Sequence, residues 1–441
     1  MKTLIKVLVP LYNPENAHLT IKLETPSGET ADIGVDFGPL LPFAGLVSPE
    51  VIDFFILSAC AYGIDRFIER KVNSVDGWSR EIVVTLPVSN VKRWQSAKVE
   101  LDTLLSFLSG DYWDFNFYKG EFSYPATPLP NGYADTFKQV NLFSGGLDSL
   151  IGAIDFLESN PSEKVLFASH YDSQMGGPLK DQTDLLQMLD TQYPNQFFHI
   201  PSLSLTLNNS TVTKEKTFRS RSILFIGIAL VAAQAKSIPI IVPENGTVSL
   251  NYPLSTSRRS ACSTRTTHPT FINKLKALWT KLGINTSITN PYEFHTKGEM
   301  VVGCNNQKFL KSVIPISNSC GKRGHRAYWK QNPSASHCGV CMPCVYRQAS
   351  LLSLKDTTTY GNDLKLLPPF STQKGQDIGA CLEFIKNKVD PNDIKNELII
   401  NGLKDLSKIS GFVGVVVRTR TELINWIKKT GIKEFKDKAG I

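Results

Sequence analysis

The chain has no apolar run long enough to cross a bilayer, which takes about 20 residues. Its longest, Ile223 to Ala235, is shorter and follows Arg219 and Arg221. The apolar N-terminal stretch is broken by Lys6 and Pro10 and has no small-residue cleavage site behind it, so no secretory signal is expected. Cysteine is sparse, eight in 441 residues, which excludes a disulfide scaffold. These absences predict a cytoplasmic protein without a membrane span. There is no internal repeat, no low-complexity tract and no GxxxxGK[ST], so the lysine of kinase-type phosphate loops is missing. The excess of 48 Lys+Arg over 40 Asp+Glu gives only +8, which suits an anionic ligand but does not indicate direct nucleic-acid binding.

What is present is a globular composition, 41% hydrophobic and 20% charged, over a length that predicts two or three domains. Residues 1–137 read as an α+β accessory domain. Strand-like runs at Leu4–Leu11, Leu19–Glu24 and Arg80–Leu86 alternate with helical stretches at Pro49–Arg70 and Ser96–Leu108, and an aromatic stretch follows at Tyr112–Phe122. The Pro/Gly-rich segment Tyr124–Tyr133 has linker composition. From residue 138 strands and helices alternate. Gln139–Phe143, Val165–Ser169, Phe197–Pro201 and Pro239–Val242 are separated by helical patterns at Leu147–Glu158, Asp181–Leu189 and Arg219–Lys236. That order predicts an α/β fold with a parallel, Rossmann-like sheet and ligands at the strands' C-terminal ends. Residues 356–441 form a Lys-rich helical tail with one strand candidate, Phe412–Val417.

Two motifs carry chemistry. Ser144-Gly145-Gly146-Leu147-Asp148-Ser149 lies between a strand and a helix. Two glycines let the backbone approach an anion, and NH groups, helix dipole and serine hydroxyls face it. The blander reading is a helix cap. Further on, Cys320 precedes Cys338-Gly-Val-Cys341-Met-Pro-Cys344. Four thiolates satisfy tetrahedral Zn2+, and the two-residue spacings let three sulfurs wrap one ion. Cys320 is the weakest ligand, with Cys304, His325 and His337 competing for the fourth position.

The hexapeptide resembles the SGGxDS signature of the PP-loop (HUP-type) ATP pyrophosphatases, which cleave ATP between the α- and β-phosphates. By that resemblance Ser144, Gly145, Gly146, Leu147 and Ser149 hold the pyrophosphate part of ATP, and Asp148 orients the loop or helps hold Mg2+. The strand end at Ser169 and His170 faces adenine. With the downstream cysteines, residues 138–355 resemble the 7-cyano-7-deazaguanine synthase (QueC) family, whose cysteines bind zinc. Arg219-Ser-Arg221-Ser222, Pro243-Glu244-Asn245 and Thr296-Lys297-Gly298-Glu299 support the likeness. Two departures are the long interval from Cys320 to Cys338 and the sequence after Asn245. Together with Cys262 to Pro269 and the N-terminal Asp76-Gly-Trp78-Ser-Arg80 and Leu108-Ser-Gly-Asp111-Tyr-Trp113, they look most like the QueC-like subunits of bacterial antiphage defence clusters of the Qat type. The resemblance implies ATP-dependent, AMP-forming activation of a deazaguanine carboxylate and its transfer to an amine. That amine belongs to a partner protein, engaged through residues 1–137. The alternative is a plain synthase that uses ammonia to form the nitrile. A tRNA-thiolating relative and a nucleotide-binding scaffold without turnover are the rivals.

Adenylation requires positive charge around the triphosphate, and guanidinium groups suit phosphate and carboxylate alike. Arg219, Arg221, Arg265 and Lys297 are the catalytic candidates beside Asp148. For Arg219 and Arg221 the plain alternative is a solvated helix start. For Arg265 and His268 it is a cap on the helix Phe271–Leu282, and for Lys297 a surface lysine. Lys322, Arg323 and Arg326 read as a solvated charge run, Trp78 and Trp113 as domain core, and Cys60, Cys262 and Cys381 as structural.

Overall fold

The computed structural model describes residues 2–173, 177–255, 265–323, 329, 331–364 and 375–441. Cys262, His325 and Arg326 lie outside them. The described strands are β1 (Thr3–Val7), β2 (Leu11–Asn13), β3 (His18–Glu24), β4 (Thr30–Asp36), β5 (Glu81–Val88), β6 (Tyr112–Lys119), β7 (Gln139–Leu142), β8 (Val165–Tyr171), β9 (Phe197–Asn208), β10 (Ile240–Ile241) and β11 (Ile288–Thr289). All eleven join one sheet in the order β11-β10-β7-β8-β9-β4-β3-β1-β5-β6, with β2 beside β3. Its pairings from β11 to β9 and from β1 through β5 to β6 are parallel.

The boundary expected at residue 137 therefore divides one sheet, not two. The hinge of this arrangement is β9, expected to end at Pro201 but running on to Asn208. Its first part pairs parallel with β8 through Ser204, and Leu205–Asn208 then pair antiparallel with β4. The ladder slips between Ala168 and His170, opposite Pro201, which has no N–H to donate. One apolar core continues across the junction, from Ile33 and Phe54 to Ile226 and Leu230. It depends on close packing of helix Pro49–Phe67 on helix Arg221–Lys236, where a Cβ at Gly227 would lie 2.2 Å from the Ser58 hydroxyl.

The chain leaves β7 toward β8 on one side, while β10 pairs on the other. This reversal opens a crevice at the strand ends, directly above the Ser144–Ser149 turn. Helices Gln376–Lys386, Pro391–Ile400, Ile409–Thr430 and Lys433–Ala439 build a second core that takes in Leu250, Met342 and Val345. The strand expected at Phe412–Val417 is helix: Phe412, Val415, Val416, Thr419, Leu423, Trp426 and Ile427 are its buried face, a spacing of three and four that a short apolar run conceals. No helix among the described residues is long and apolar enough to cross a membrane.

Candidate functional site

A cleft of about 300 Å³ opens at the end of β7, lined by the Ser144–Ser149 turn, Arg221, Glu244, Lys297, Asn318 and Arg323. The turn is built from inside. Gly145 sits at φ +81°, where a side chain is disfavoured, and a Cβ there would press to 3.3 Å on Gln182. Ser149 Oγ donates to the Gly146 carbonyl at 3.0 Å and accepts from Ser144 N at 3.3 Å, and the two serine hydroxyls lie 3.2 Å apart. Helix Leu147–Ser159 starts here with Gly146 as a cap that has no side chain, so no cap side chain takes up its first N–H groups.

Asp148 lies beneath the turn and is fully engaged. Its Oδ1 pairs with Lys297 Nζ, and its Oδ2 accepts from Asn245 Nδ2 at 2.5 Å and Asn245 N at 3.4 Å. Burial pushes this carboxyl upward, but the Lys297 charge and hydrogen bonds from Glu244, Lys297 and Asn245 outweigh it and hold the group below its ordinary value. Glu244 moves the other way: burial and the neighbouring Asp148 charge push it well above the usual carboxylate range. Both carboxylate oxygens of Asp148 are thus engaged beneath the turn.

Lys297 comes from helix Lys297–Gly303, whose start is fixed by a capping box between Thr296 and Glu299. The surface-lysine reading is overturned, since Lys297 is buried. Arg221 opens its helix in the cleft wall, its guanidinium 5.2 Å above the Phe225 ring. Arg323, read as part of a solvated run, also lines the cleft, paired with Asp181.

Two expected cations are elsewhere. Arg219 stacks 4.1 Å over Trp78 and donates to the Ser109 carbonyl at 3.0 Å. Arg265 lies 4.7 Å over Phe107 and donates to its carbonyl at 3.2 Å. Both fasten the core to the N-terminal segment, and the aromatic faces offset their charge. His268 takes the capping alternative: its Nδ1 accepts from Thr270 N at 3.1 Å at the start of helix Pro269–Leu282, and burial beside Arg265 lowers it to about 3. Trp113 is core as expected, whereas Trp78 is 39% exposed under Arg219. Ser169 and His170 are at the end of β8 but fully buried, with the Ser169 hydroxyl on the Phe143 carbonyl at 2.7 Å and His170 Nδ1 3.2 Å from the Leu203 carbonyl. Neither side chain reaches the cleft.

The four cysteines form one cluster. The sulfurs of Cys320, Cys338, Cys341 and Cys344 all lie within 4.8 Å of one another, with Cys320–Cys341 at 4.0 Å and Cys338–Cys344 at 3.9 Å. Tetrahedral bonds of about 2.3 Å to one ion put sulfurs about 3.8 Å apart, so the cluster could hold a metal. Backbone N–H groups of Cys338 and Cys341 point at Cys320 and Cys338 sulfurs at 3.3 and 3.2 Å. Two competitors for the fourth position fall away: Cys304 is outside the cluster, and His337 Nε2 accepts from Ser319 N at 3.2 Å. The cluster adjoins the cleft, since Asn318 Oδ1 accepts from Cys320 N and Asn318 N donates to the Gly145 carbonyl, both at 2.9 Å.

Sequence reasoning passed over Glu244, Asn245 and Asn318 as site residues. The signal for the first two was their place directly after the strand beside β7; for Asn318 there was none. Comparisons with protein-family models, with curated proteins and with solved structures found no match.

Proposed function

We propose that the cleft is the active site of a PP-loop ATP pyrophosphatase of QueC-like type. It activates a carboxylate, 7-carboxy-7-deazaguanine, by AMP transfer and passes the acyl group to an amine. The observation that carries the reading is the convergence on one cleft of the Ser144–Ser149 turn, Lys297 and Arg221. In the reaction the substrate carboxylate oxygen attacks the α-phosphorus and pyrophosphate leaves. The amine then attacks the acyl carbon, AMP departs with the C–O electron pair, and the amine's proton is released. The turn's N–H groups and hydroxyls suit the pyrophosphate, while Lys297 and Arg221 offset the charge that gathers on it. Mg2+ arrives with the triphosphate and supplies further neutralisation. The cysteine cluster holds structural Zn2+, which braces the Asn318–Gly321 wall.

The acceptor amine belongs to a partner protein in an antiphage defence complex, and residues 1–137 supply its docking surface. In support, β6 terminates the described sheet, and Tyr112, Val72 and Trp78 are exposed on this segment. The test is to incubate the protein with ATP, Mg2+ and 7-carboxy-7-deazaguanine, assaying AMP, pyrophosphate and the mass of co-purifying proteins. Ser149→Ala and Asp148→Ala should abolish AMP formation; retention of it by both would defeat the phosphate-turn assignment. A partner gaining the deazaguanine acyl mass is the expected result. Free nitrile that appears only with ammonia, with partners unmodified, would make the enzyme a nitrile synthase instead.

A further inference from the structure

The Ser144–Ser149 turn has little stiffness of its own. Gly145 and Gly146 are adjacent, so no side chain limits rotation of the peptide between them. That peptide is held from outside. Asn318 N donates to the Gly145 carbonyl at 2.9 Å. A trans peptide carries its N–H opposite its carbonyl, and the Gly146 N–H is accordingly turned to the Ser144 hydroxyl at 3.3 Å, inside the turn. Gln182 Nε2 supports the preceding carbonyl, of Ser144, at 3.3 Å. The direction of the Gly146 N–H therefore depends on where Asn318 sits.

Asn318 is placed in turn by the cysteine arms. Its Oδ1 accepts from Cys320 N at 2.9 Å, and its Nδ2 donates to the Ser336 carbonyl at 3.1 Å. The next N–H, of Ser319, donates to His337 Nε2 at 3.2 Å. These bonds tie the cleft wall to two stretches, Asn318–Cys320 and Ser336–Cys338, that the sulfur cluster brings together. On the upstream side Arg347 donates to the Ser317 hydroxyl at 3.0 Å and to the Ile314 carbonyl at 2.6 Å. The wall is thus fastened at both ends. The Arg347 end needs no metal, whereas at the Cys320 end a divalent ion draws the thiolates of both stretches to one point.

We infer that metal occupancy of the cysteine cluster and anion binding at the Ser144–Ser149 turn are thermodynamically coupled, and that Asn318 is the positioning residue that carries the coupling. A loaded cluster fixes Asn318, which holds the Gly145–Gly146 peptide ready for an anion. An anion on the turn tightens the metal in return, and linkage makes the two factors equal. The inference rests on the proposed reading only in taking the turn as a phosphate site, and the experiment separates the two.

The full-length protein is loaded with Zn2+, and its metal affinity is measured by competition with a zinc-selective chelator. The measurement is made with Mg2+ alone, with added α,β-methylene-ATP and with added pyrophosphate. Affinity for the same two ligands is measured calorimetrically before and after the chelator strips the metal. Each ligand should tighten Zn2+ about tenfold, and stripping should weaken each ligand by the same factor. Asn318→Ala should keep its metal, but the factor should fall below about threefold. Hydrogen exchange on the same samples reads local opening: stripping should speed exchange over residues 144–149 and leave β5, Glu81–Val88, unchanged. Ligand affinity that ignores the metal, or an undiminished factor in Asn318→Ala, would overturn the inference. So would failure to take up Zn2+, or faster exchange in β5 as well, which would make the metal a support of the whole fold. If loaded wild-type protein bound neither ligand while stripping still loosened 144–149, the phosphate reading would fall and the Asn318 link would stand; without that loosening both would fall.

Discussion

Replacing Lys297 with Met isolates the electrostatics of the cleft. The Lys297–Asp148 pair is almost wholly buried, with 6% and 7% of the two side chains exposed. Removing one partner of such a pair leaves a buried carboxylate without its counter-charge, which costs about 3 kcal/mol. With an unfolding entropy of about 2.1 cal/mol/K per residue over 441 residues, that lowers the thermal midpoint by about 3 °C. The pH dependence is the sharper signature. In the native protein Asp148 is held below its ordinary value, so its contribution is present above the unfolded carboxylate pKa and is lost as pH falls through the folded one. In the variant burial prevails and Asp148 rises, so the folded state takes up a proton. The deficit should be full near pH 8 and shrink to less than half by pH 5, as read by thermal melts at fixed scan rate. An equal deficit at both pH values would refute the reasoning, because loss of the lysine's packing alone has no such dependence.

Glu244→Gln should raise stability at pH 8 and leave it unchanged near pH 4. Glu244 is pushed up by burial and by Asp148, so its favourable term is present below the unfolded pKa and lost as pH rises through the folded one; melts across that range check it. Cys341→Ser should reduce bound metal from one ion per chain toward none and lower the melting midpoint, and unchanged metal content by mass spectrometry would rule the cluster out as a site. Arg221→Ala should raise the KM for ATP at least tenfold, whereas Arg219→Ala should lower the melting midpoint and leave KM unchanged; the reverse pattern would exchange their roles. Tyr62→Phe removes the 2.7 Å hydrogen bond to buried Asp172, and should raise KM for ATP several-fold with kcat little changed.

The parallel β7–β10 region and its turn were legible because strands there alternate with helices at short intervals and two glycines follow an apolar strand. The cysteine cluster was legible because ligand spacing is a local property. What escaped the sequence is what depends on distant pairing. β4 was not anticipated, and nothing near Phe197 announces that β9 will change partners midway and carry residues 1–137 into the same sheet. The arginines show the same limit. Arg219 and Arg221 are two residues apart at a helix start, yet one faces Trp78 and the other the cleft, a choice made by packing against a segment more than a hundred residues earlier. Two basic residues at one helix start therefore need not share one destination.

Of the three cations that line the cleft, Arg221 and Lys297 are set from outside the β7–β11 core. Arg221 lies within the electrostatic reach of Asp172, and Asp172 is gripped by Tyr62 and Arg66 from helix Pro49–Phe67. Lys297 is presented by a helix start that Glu422, on helix Ile409–Thr430, holds through the Thr296 hydroxyl and, at 3.3 Å, the Gly298 N–H. The same helix grips the β10 side through Thr419, whose hydroxyl lies 2.6 Å from that of Thr247. Glu422 is itself raised by burial, a cost the fold bears in placing an acceptor there. Residues 138–355 alone would keep the phosphate turn and the cysteines but lose the supports of both cations. The flanking segments are thus parts of the site's geometry.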